Sequence, residues 1–340
     1  MKKPAIIVQL FVLTVMALTM QDAAFAQAGT GYHVAKTFHI ASSGGWDYIA
    51  VGPGNNRLYV SHATQVNILD EKTGDSVGVI PNTTGVHGIA FVPTLNKGYT
   101  SNGRLNNITV FDLKTNQVLT QIAAGQNPDA IMYEPYSKTI ITCNGRSNDL
   151  TIIDPVSEKT IATVAVGGKP ETAVSDGAGK IFVNIEDKNE IVVVDTKTNA
   201  VIAHWSIAPA EGPTGLAIDV ATKRLFAGCD KLLAVIDITS GKLVDKLPIG
   251  DGCDGVAFDS GSKNIFASCG EGKLTIIHEA ADGKCTVTAN LPTKKSARTI
   301  AVNESLHTVY LPAADLGTPA AGERRAPMLP GTFQVLVIQQ

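Results

Sequence analysis

The stretch that decides the fold is residues 66–75, VNILDEKTGD, in which a short apolar run ends in an aspartate and a polar turn follows. The pattern recurs along the chain, and the aspartates that end the runs are Asp70, Asp112, Asp154, Asp195 and Asp237. Successive aspartates lie 42, 42, 41 and 42 residues apart, and a degenerate sixth copy ends at His278, 41 residues further on. A regular period of this length is typical of a repeat protein.

Each period holds enough sequence for four short strands. A β-branched run follows each turn, as in residues 76–80, and two strands joined by a polar turn precede each aspartate, as in residues 49–60. Four strands in about 42 residues is the pattern of a β-propeller blade. Seven innermost strands can be counted, starting near Asp47, His87, Asp129, Glu171, Thr214, Asp254 and Arg298. The sequence therefore predicts an all-β, seven-bladed β-propeller.

The two ends of the repeat array predict how the ring closes. Residues 335–338 have the pattern of a third strand, so the seventh repeat lacks a fourth strand of its own. The apolar segment 32–40 has no partner within its own repeat. We therefore expect this N-terminal strand to complete the last blade, which removes exposed strand edges. The prediction is a single propeller domain over residues 27–340.

Residues 1–26 are typical of an export signal rather than of the propeller. Lys2 and Lys3 precede an apolar run, and a small-residue cleavage pattern follows at Ala24-Phe25-Ala26. That run is too short to span a bilayer and no longer one follows it, so we expect no transmembrane segment. The sequence predicts a periplasmic or secreted protein from which the signal peptide 1–26 is removed.

Charge and motifs exclude several classes of function. The chain has 28 basic and 31 acidic residues, a formal net charge of −3, and so offers no basic footprint for nucleic acid. It has no His-Glu-x-x-His pair and no phosphate-binding glycine loop, so no nucleotide signature is present. We expect a monomer whose partner is a small polar ligand or another protein.

Five cysteines fall in this predicted exported domain, where the surroundings are oxidising. They are Cys143, Cys229, Cys253, Cys269 and Cys285. The odd number leaves at least one unpaired. One interpretation is a disulfide from Cys253 to either Cys229 or Cys269. A second is that the cysteines are small apolar side chains that pack within strands, and a third is a soft-metal site. The pairing stays open at this point.

The repeats resemble the YVTN-repeat, or YncE-like, family of exported bacterial seven-bladed propellers. The similarity lies in residues 58–70 (LYVSHATQVNILD) and again in residues 180–195 (KIFVNIEDKNEIVVVD). The resemblance implies the fold over essentially the whole mature chain, and implies no particular reaction, because many members have none assigned. Only two tryptophans are present, too few for the docking repeats of pyrroloquinoline quinone dehydrogenases.

The two faces of the predicted ring differ in their chemistry. The repeated Asp-x-x-Thr turns share one face, where we expect their side chains to bond the nearby backbone. The starts of the innermost strands share the other face, which we call the channel mouth, and they vary from blade to blade. The residues there that we predict to bind ligand are Asp47, His87, Asp129, Glu171, Asp254 and Arg298. A solvated polar channel is the alternative.

Loops on the same face add further candidates. Two equivalent Asn-Gly-Arg loops carry Asn102, Arg104, Asn144 and Arg146, and a third loop carries Glu186. The two guanidinium groups are predicted either to hold a carboxylate or phosphate or to pair with the next blade. A divalent metal ion is the candidate cofactor, since carboxylates and imidazoles supply its ligands. The candidate metal ligands are His62, His87, Asp129 and Glu171.

Residues 313–331 form an insertion between strands two and three of the seventh blade, with Arg324 and Arg325 at its centre. Its Pro, Gly and Ala content predicts a flexible segment, either a lid over the mouth or a surface loop.

Two functions remain for the whole protein. One is an exported binding protein for a small ligand, metal ion or protein partner at the channel mouth. The other is a metal-dependent hydrolase or lyase, similar to lactonase propellers, with the ion at the mouth.

Overall fold

The computed structural model describes residues 31–319 and 326–340, and these form seven four-stranded antiparallel sheets. The strand β1 (His33–His39) lies in the last blade, and the first blade follows it. The strands of blade one, from the channel outward, are β2 (Trp46–Val51), β3 (Arg57–His62), β4 (Gln65–Asp70) and β5 (Ser76–Ile80). The predicted signal peptide, residues 1–26, lies outside the described residues.

The next three blades repeat this order. Blade two has β6 (Val86–Val92), β7 (Lys97–Asn102), β8 (Asn107–Asp112) and β9 (Val118–Ala123). Blade three has β10 (Pro128–Glu134), β11 (Thr139–Asn144), β12 (Asp149–Asp154) and β13 (Lys159–Ala165). Blade four has β14 (Pro170–Ser175), β15 (Lys180–Ile185), β16 (Glu190–Asp195) and β17 (Ala200–Ser206). Two single-turn 3₁₀ helices, Pro93–Leu95 and Glu186–Lys188, interrupt loops of blades two and four.

The remaining blades complete the ring. Blade five has β18 (Leu216–Asp219), β19 (Arg224–Gly228), β20 (Leu232–Asp237) and β21 (Leu243–Pro248). Blade six has β22 (Cys253–Asp259), β23 (Asn264–Cys269), β24 (Lys273–Glu279) and β25 (Cys285–Pro292). Blade seven has β26 (Ala301–Asn303), β27 (Thr308–Ala313) and β28 (Gln334–Gln339), with β1 outermost. The predicted seven-bladed β-propeller is confirmed.

The turns that follow the third strands have the structural role expected from the sequence. Asp70 Oδ1 accepts hydrogen bonds from the backbone N–H groups of Lys72 and Thr73, both at 2.9 Å. The equivalent aspartates of blades two to five accept backbone N–H groups in the same way. An aspartate that bonds its own following backbone stabilises a tight turn, which explains why this residue recurs.

Blade six departs from this pattern and uses a buried carboxylate instead. His278 replaces the turn aspartate, and the next residue, Glu279, is buried and accepts a hydrogen bond from Thr222 of blade five at 2.6 Å. Burial, and then the nearby charge of Asp219, raise the pKa of Glu279. Lys263 lies 2.9 Å from Asp219. This cluster therefore ties the two blades together on the face opposite the channel mouth.

The hydrophobic core lies between neighbouring blades rather than at a single centre. Seven clusters of buried side chains are shared between successive blades. Between blades one and two, for example, the ring of Tyr59 lies 4.9 Å from that of Phe91 and 5.9 Å from that of Phe111. Each blade thus buries its apolar faces mainly against its two neighbours, so stability depends on an unbroken ring.

The N-terminal strand closes the ring as predicted. β1 pairs antiparallel with β28, from His33 opposite Gln339 to His39 opposite Gln334. Phe38 of β1 is buried in the cluster that joins blade seven to blade one, where it packs with Trp46. The last blade is therefore built from both ends of the propeller.

The outermost strand of every blade carries one extra residue that interrupts its pairing with the third strand. These bulge residues are Ala35, Val77, Leu119, Ile161, Ile202, Val244 and Thr288. A bulge twists the strand and disrupts its free edge, so it hinders pairing with a strand of another molecule. Among the described residues, no helix is long and apolar enough to cross a membrane.

Candidate functional site at the channel mouth

A second set of bulges, on the innermost strands, sets the positions of the mouth residues. In blade one, Asp47 and Tyr48 together face the single residue Ser61 of β3. The Ser61 hydroxyl accepts the N–H of Asp47 at 3.2 Å and donates to the carbonyl of Tyr48 at 3.0 Å. Blades two, three, four and six shift register at the same point. Such bulges take a side chain out of the ladder and direct it elsewhere, here to the mouth.

The layer below the mouth consists of small residues, with one exception. The residues that follow the seven entry positions are Tyr48, Gly88, Ala130, Thr172, Gly215, Gly255 and Thr299. Tyr48 belongs to blade one but packs against the hydrophobic cluster of blades three and four. It therefore crosses the channel. The next layer is aliphatic, from Ile49 to Ile300, and the two layers line a cavity of about 180 Å³.

Asp47 is the centre of an ion-pair network at the mouth. His87 Nδ1 lies 2.6 Å from Asp47 Oδ2, and Arg298 Nη2 lies 3.2 Å from Asp47 Oδ1. Arg298 Nε also donates to Asp254 at 2.8 Å, and its Nη2 donates to the carbonyl of Trp46 at 3.1 Å. The network links blades six, seven, one and two across the point where the ring closes.

A second network lies on blade four. Lys169 Nζ lies 2.5 Å from Glu171 Oε1 and pairs with Glu186 as well. Glu171 is buried, and its burial, together with the charge of Asp129, raises its pKa. Two candidates predicted from different loops, Glu171 and Glu186, are thus joined by a lysine that the sequence analysis did not identify.

Asp129 lies between these two networks. Its carboxylate is 3.8 Å from His87 Nδ1, beyond hydrogen-bond distance. Burial raises the pKa of Asp129; the charge of His87 opposes this shift, while those of Asp47 and Asp254 add to it. Among the described residues it is therefore the mouth carboxylate with the weakest pairing to a cation.

His87 responds to the surrounding carboxylates. Burial alone would lower the pKa of its imidazole, but the hydrogen bond to Asp47 and the charges of Asp129, Asp47 and Glu171 outweigh this and raise the pKa to about 9. At neutral pH His87 is therefore protonated and serves as a cation between two aspartates. A metal ion that binds Nδ1 must displace this proton.

Three ligand atoms of suitable type converge at this point. One ligand atom each from Asp47, His87 and Asp129 lies within 4.8 Å of the others. The three residues come from blades one, two and three, so no local sequence motif contains them together. Carboxylate oxygen and imidazole nitrogen together suit Zn²⁺ or Mn²⁺ better than Ca²⁺, which prefers oxygen ligands alone.

His62 lies outside this group of three. It is buried at the end of β3, where Nε2 lies 2.7 Å from the Gly44 carbonyl and Nδ1 lies 2.7 Å from the Ser42 hydroxyl. Its ring also stacks on Phe333, with centroids 4.2 Å apart. Both nitrogens are thus engaged in holding the entry loop of blade one, and His62 and His87 do not face a common point.

The two Asn-Gly-Arg loops divide into structural and exposed parts. Asn102 is buried, and its side-chain amide donates to Asn107 and Thr109, both at 2.8 Å. Asn144 repeats this arrangement in blade three. Arg104 and Arg146 are exposed, and no side-chain hydrogen bond joins either to the described residues. The asparagines therefore shape the loops, while the two guanidinium groups face solvent on the mouth side.

The insertion lies between β27 and β28. Its two described arms are held together by hydrogen bonds from Gly317 N–H to the Pro327 carbonyl and from Leu329 N–H to the Asp315 carbonyl, both 2.8 Å. Lys294 pairs with Asp315 at 2.7 Å. Arg324 and Arg325 lie outside the described residues, so neither the lid nor the loop interpretation is tested there.

Sequence reasoning missed Tyr48 and Lys169. Tyr48 directly follows Asp47, and it is the one large side chain among the residues that follow the entry positions. Burial and the charges of the mouth carboxylates raise the pKa of its phenol. Lys169 lies two residues before Glu171, in the entry loop. An alignment of the seven repeats by their entry positions would have found both.

Comparison with known proteins supports the fold. No family model matches the chain, and no curated protein matches it. Among solved structures, the chain is similar to one described as Kuenenia stuttgartiensis Hydrazine Synthase, with a TM-score of 0.70 and 15% sequence identity. The similarity covers 80% of this chain and 94% of that one. An identity this low shows the fold alone, and membership of the YVTN-repeat family is not confirmed. The chain is a seven-bladed β-propeller.

Proposed function

We propose that this protein is an exported binding propeller that holds a divalent cation at its channel mouth. The observation that carries the proposal is the meeting of Asp47, His87 and Asp129 from three successive blades, with one ligand atom of each within 4.8 Å of the others. Export is inferred from the signal-like residues 1–26.

The electrostatics of the mouth favour a cation there. Four carboxylates face Arg298, Lys169 and a protonated His87, and no cation of the described part of the chain lies within hydrogen-bond distance of Asp129. The pKa values of Asp129, Glu171 and Asp254 are all raised, largely by burial, so ionising them costs free energy. A divalent ion between Asp47 and Asp129 would offset that cost.

Three protein ligands leave coordination positions free for a small polar ligand. A carboxylate or hydroxyl group bound to the ion would lie above Tyr48, which forms the floor. This arrangement also suits the alternative function, a lactonase-like hydrolase in which the ion acts as a Lewis acid. That alternative requires the same ion, so lactone hydrolysis by metal-loaded protein, compared with chelator-treated protein, tests it separately.

Thermal melting tests the proposed cation site. After chelation, addition of Zn²⁺ or Mn²⁺ at about 100 times the dissociation constant should add about 2.7 kcal/mol to the free energy of unfolding. We expect this to raise Tm by several degrees, and Ca²⁺ to give a smaller rise. In Asp129→Asn the rise should largely disappear, because one of the three ligands has lost its charge.

The matched control is Asp230→Asn, which removes an exposed carboxylate from a blade-five loop on the same face. This variant should keep the full ion-dependent rise in Tm. If neither Zn²⁺ nor Mn²⁺ raises the Tm of the parent, or if Asp129→Asn and Asp230→Asn respond alike, the mouth is a solvated channel and the proposal is wrong.

A further inference from the structure

Two of the five buried cysteines lie directly opposite each other in blade six. Cys253, the first residue of β22, is the cross-strand partner of Cys269, the last residue of β23. The neighbouring hydrogen bond, from Gly270 N–H to the Gly252 carbonyl at 2.8 Å, shows that the cysteines occupy a pair without backbone hydrogen bonds between them. In such pairs the Cα atoms lie about 4.5 Å apart, at the short end of the range that a disulfide spans.

The two thiols influence each other. Cys253 Sγ donates to the Gly255 carbonyl at 3.7 Å and Cys269 Sγ donates to the Ala267 carbonyl at 3.6 Å. The neighbouring thiol raises the pKa of Cys253 and lowers that of Cys269. Both side chains are buried, with exposed fractions of 6% and 0%, and they belong to the same hydrophobic cluster. Cys229, the other partner considered from the sequence, lies in a different hydrophobic cluster, the one that blades four and five share. This separation leaves Cys269 as the partner of Cys253.

The equivalent pair in other blades has different residues. It consists of Trp46 and His62 in blade one, Val86 and Asn102 in blade two, Pro128 and Asn144 in blade three, and Pro170 and Ile185 in blade four. Among these blades and blade six, only blade six places a cysteine at both positions. Cys229 and Cys143, each near the end of a second strand, have no cysteine opposite and provide natural controls.

We propose that Cys253 and Cys269 form a disulfide when the chain folds in the presence of a small disulfide oxidant. The Cys269 thiolate attacks one sulfur of the oxidant, forms a mixed disulfide and expels the first thiol. Cys253 then attacks the Cys269 sulfur and expels the second thiol. Two cysteine thiols are oxidised, one small disulfide is reduced to two thiols, and the two cysteine protons pass to those thiols.

The bond would lie next to the channel mouth. Asp254, the bulge residue between Cys253 and Gly255, carries one end of the ion pair with Arg298. The disulfide would fix the strand on which Asp254 is mounted. It therefore adds a covalent link at the mouth that does not depend on the cation.

Peptide mapping tests the proposal directly, because trypsin places each cysteine on its own peptide. Cleavage after Lys246, Lys263 and Lys273 puts Cys253 on residues 247–263 and Cys269 on residues 264–273. The mature chain is unfolded and reduced, then refolded with oxidised and reduced glutathione or with reductant alone. Free thiols are alkylated in denaturant before digestion without reductant, and mass spectrometry identifies linked peptides.

In the glutathione sample we expect 247–263 linked to 264–273, with Cys143, Cys229 and Cys285 alkylated. The oxidised protein should melt about 5 °C higher than the reduced protein, because the bond closes a short loop in the unfolded chain. That difference should vanish in Cys253→Ser and persist in Cys229→Ser. Alkylation of both Cys253 and Cys269 after oxidative refolding, or a link from either to Cys229, would overturn the proposal; the mapping decides even if Cys253→Ser does not fold.

Discussion

Removal of residues 27–41 should abolish the cooperative melting of the propeller. The deletion takes away β1 and with it the pairing to β28, so the last blade is left with three strands and a free edge. It also removes the buried side chains of Phe38 and Ile40 from the cluster between blades seven and one. Each contributes about 1.5–3 kcal/mol by burial, and the exposed β28 becomes a template for aggregation.

A point variant separates closure from general damage. Phe38→Ala keeps the backbone of β1 and should lower the free energy of unfolding by about 3–5 kcal/mol, whereas His39→Ala, on the exposed side of the same strand, should change it little. The measurement is thermal and denaturant unfolding followed by circular dichroism. A truncated chain that melts cooperatively at the parent's temperature would show that β1 does not close the ring.

Replacement of Arg298 by Met should destabilise the protein and make it more dependent on a cation. Arg298 forms ion pairs with both Asp47 and Asp254. Burial and the charge of Asp47 raise the pKa of Asp254, while the charge of Arg298 lowers it. Without the guanidinium, two partly buried carboxylates face each other with less compensation. We expect a loss of about 2–4 kcal/mol, below the range for fully buried pairs because these groups are partly exposed.

The sign of the pH dependence follows from the same argument. In Arg298→Met the pKa of Asp254 should rise further in the folded protein, so the loss should be smaller at pH 5 than at pH 8. Added Zn²⁺ or Mn²⁺ should recover part of the loss at pH 8. Arg104→Met removes an exposed arginine from the same face and should have no such effect. Equal losses in the two variants would contradict the role assigned to Arg298.

The fold could be predicted from the sequence because repetition amplifies a weak signal. One run such as residues 66–75 fits many strands, but five copies at a fixed spacing leave few architectures other than stacked or ring-shaped repeats. The ring closure could be predicted for a related reason: the β1 segment and β28 were each left without a partner. The positions of Asp47, His87 and Arg298 followed from the same count of strands.

The contacts at the mouth could not be predicted because they depend on side-chain direction. His62 and His87 lie on the same face of adjacent blades, yet His62 turns toward Gly44 and Ser42 while His87 turns toward Asp47. A shift of one residue at each bulge decides which side chain enters the channel, and alternation along a strand does not reveal such a shift. The bridging role of Lys169 between Glu171 and Glu186 depends on rotamers in the same way.

Isothermal titration calorimetry with Zn²⁺ at pH 7.5, in two buffers with different ionisation enthalpies, tests the cation site most directly. Because the pKa of His87 is raised to about 9, its proton is present at this pH and must leave when the ion binds Nδ1. We expect one ion per chain, release of at least about one proton, and an affinity that rises about tenfold per pH unit up to pH 9. Absence of Zn²⁺ binding would contradict a site built from Asp47, His87 and Asp129. So would Zn²⁺ binding that releases no proton and is retained in Asp129→Asn.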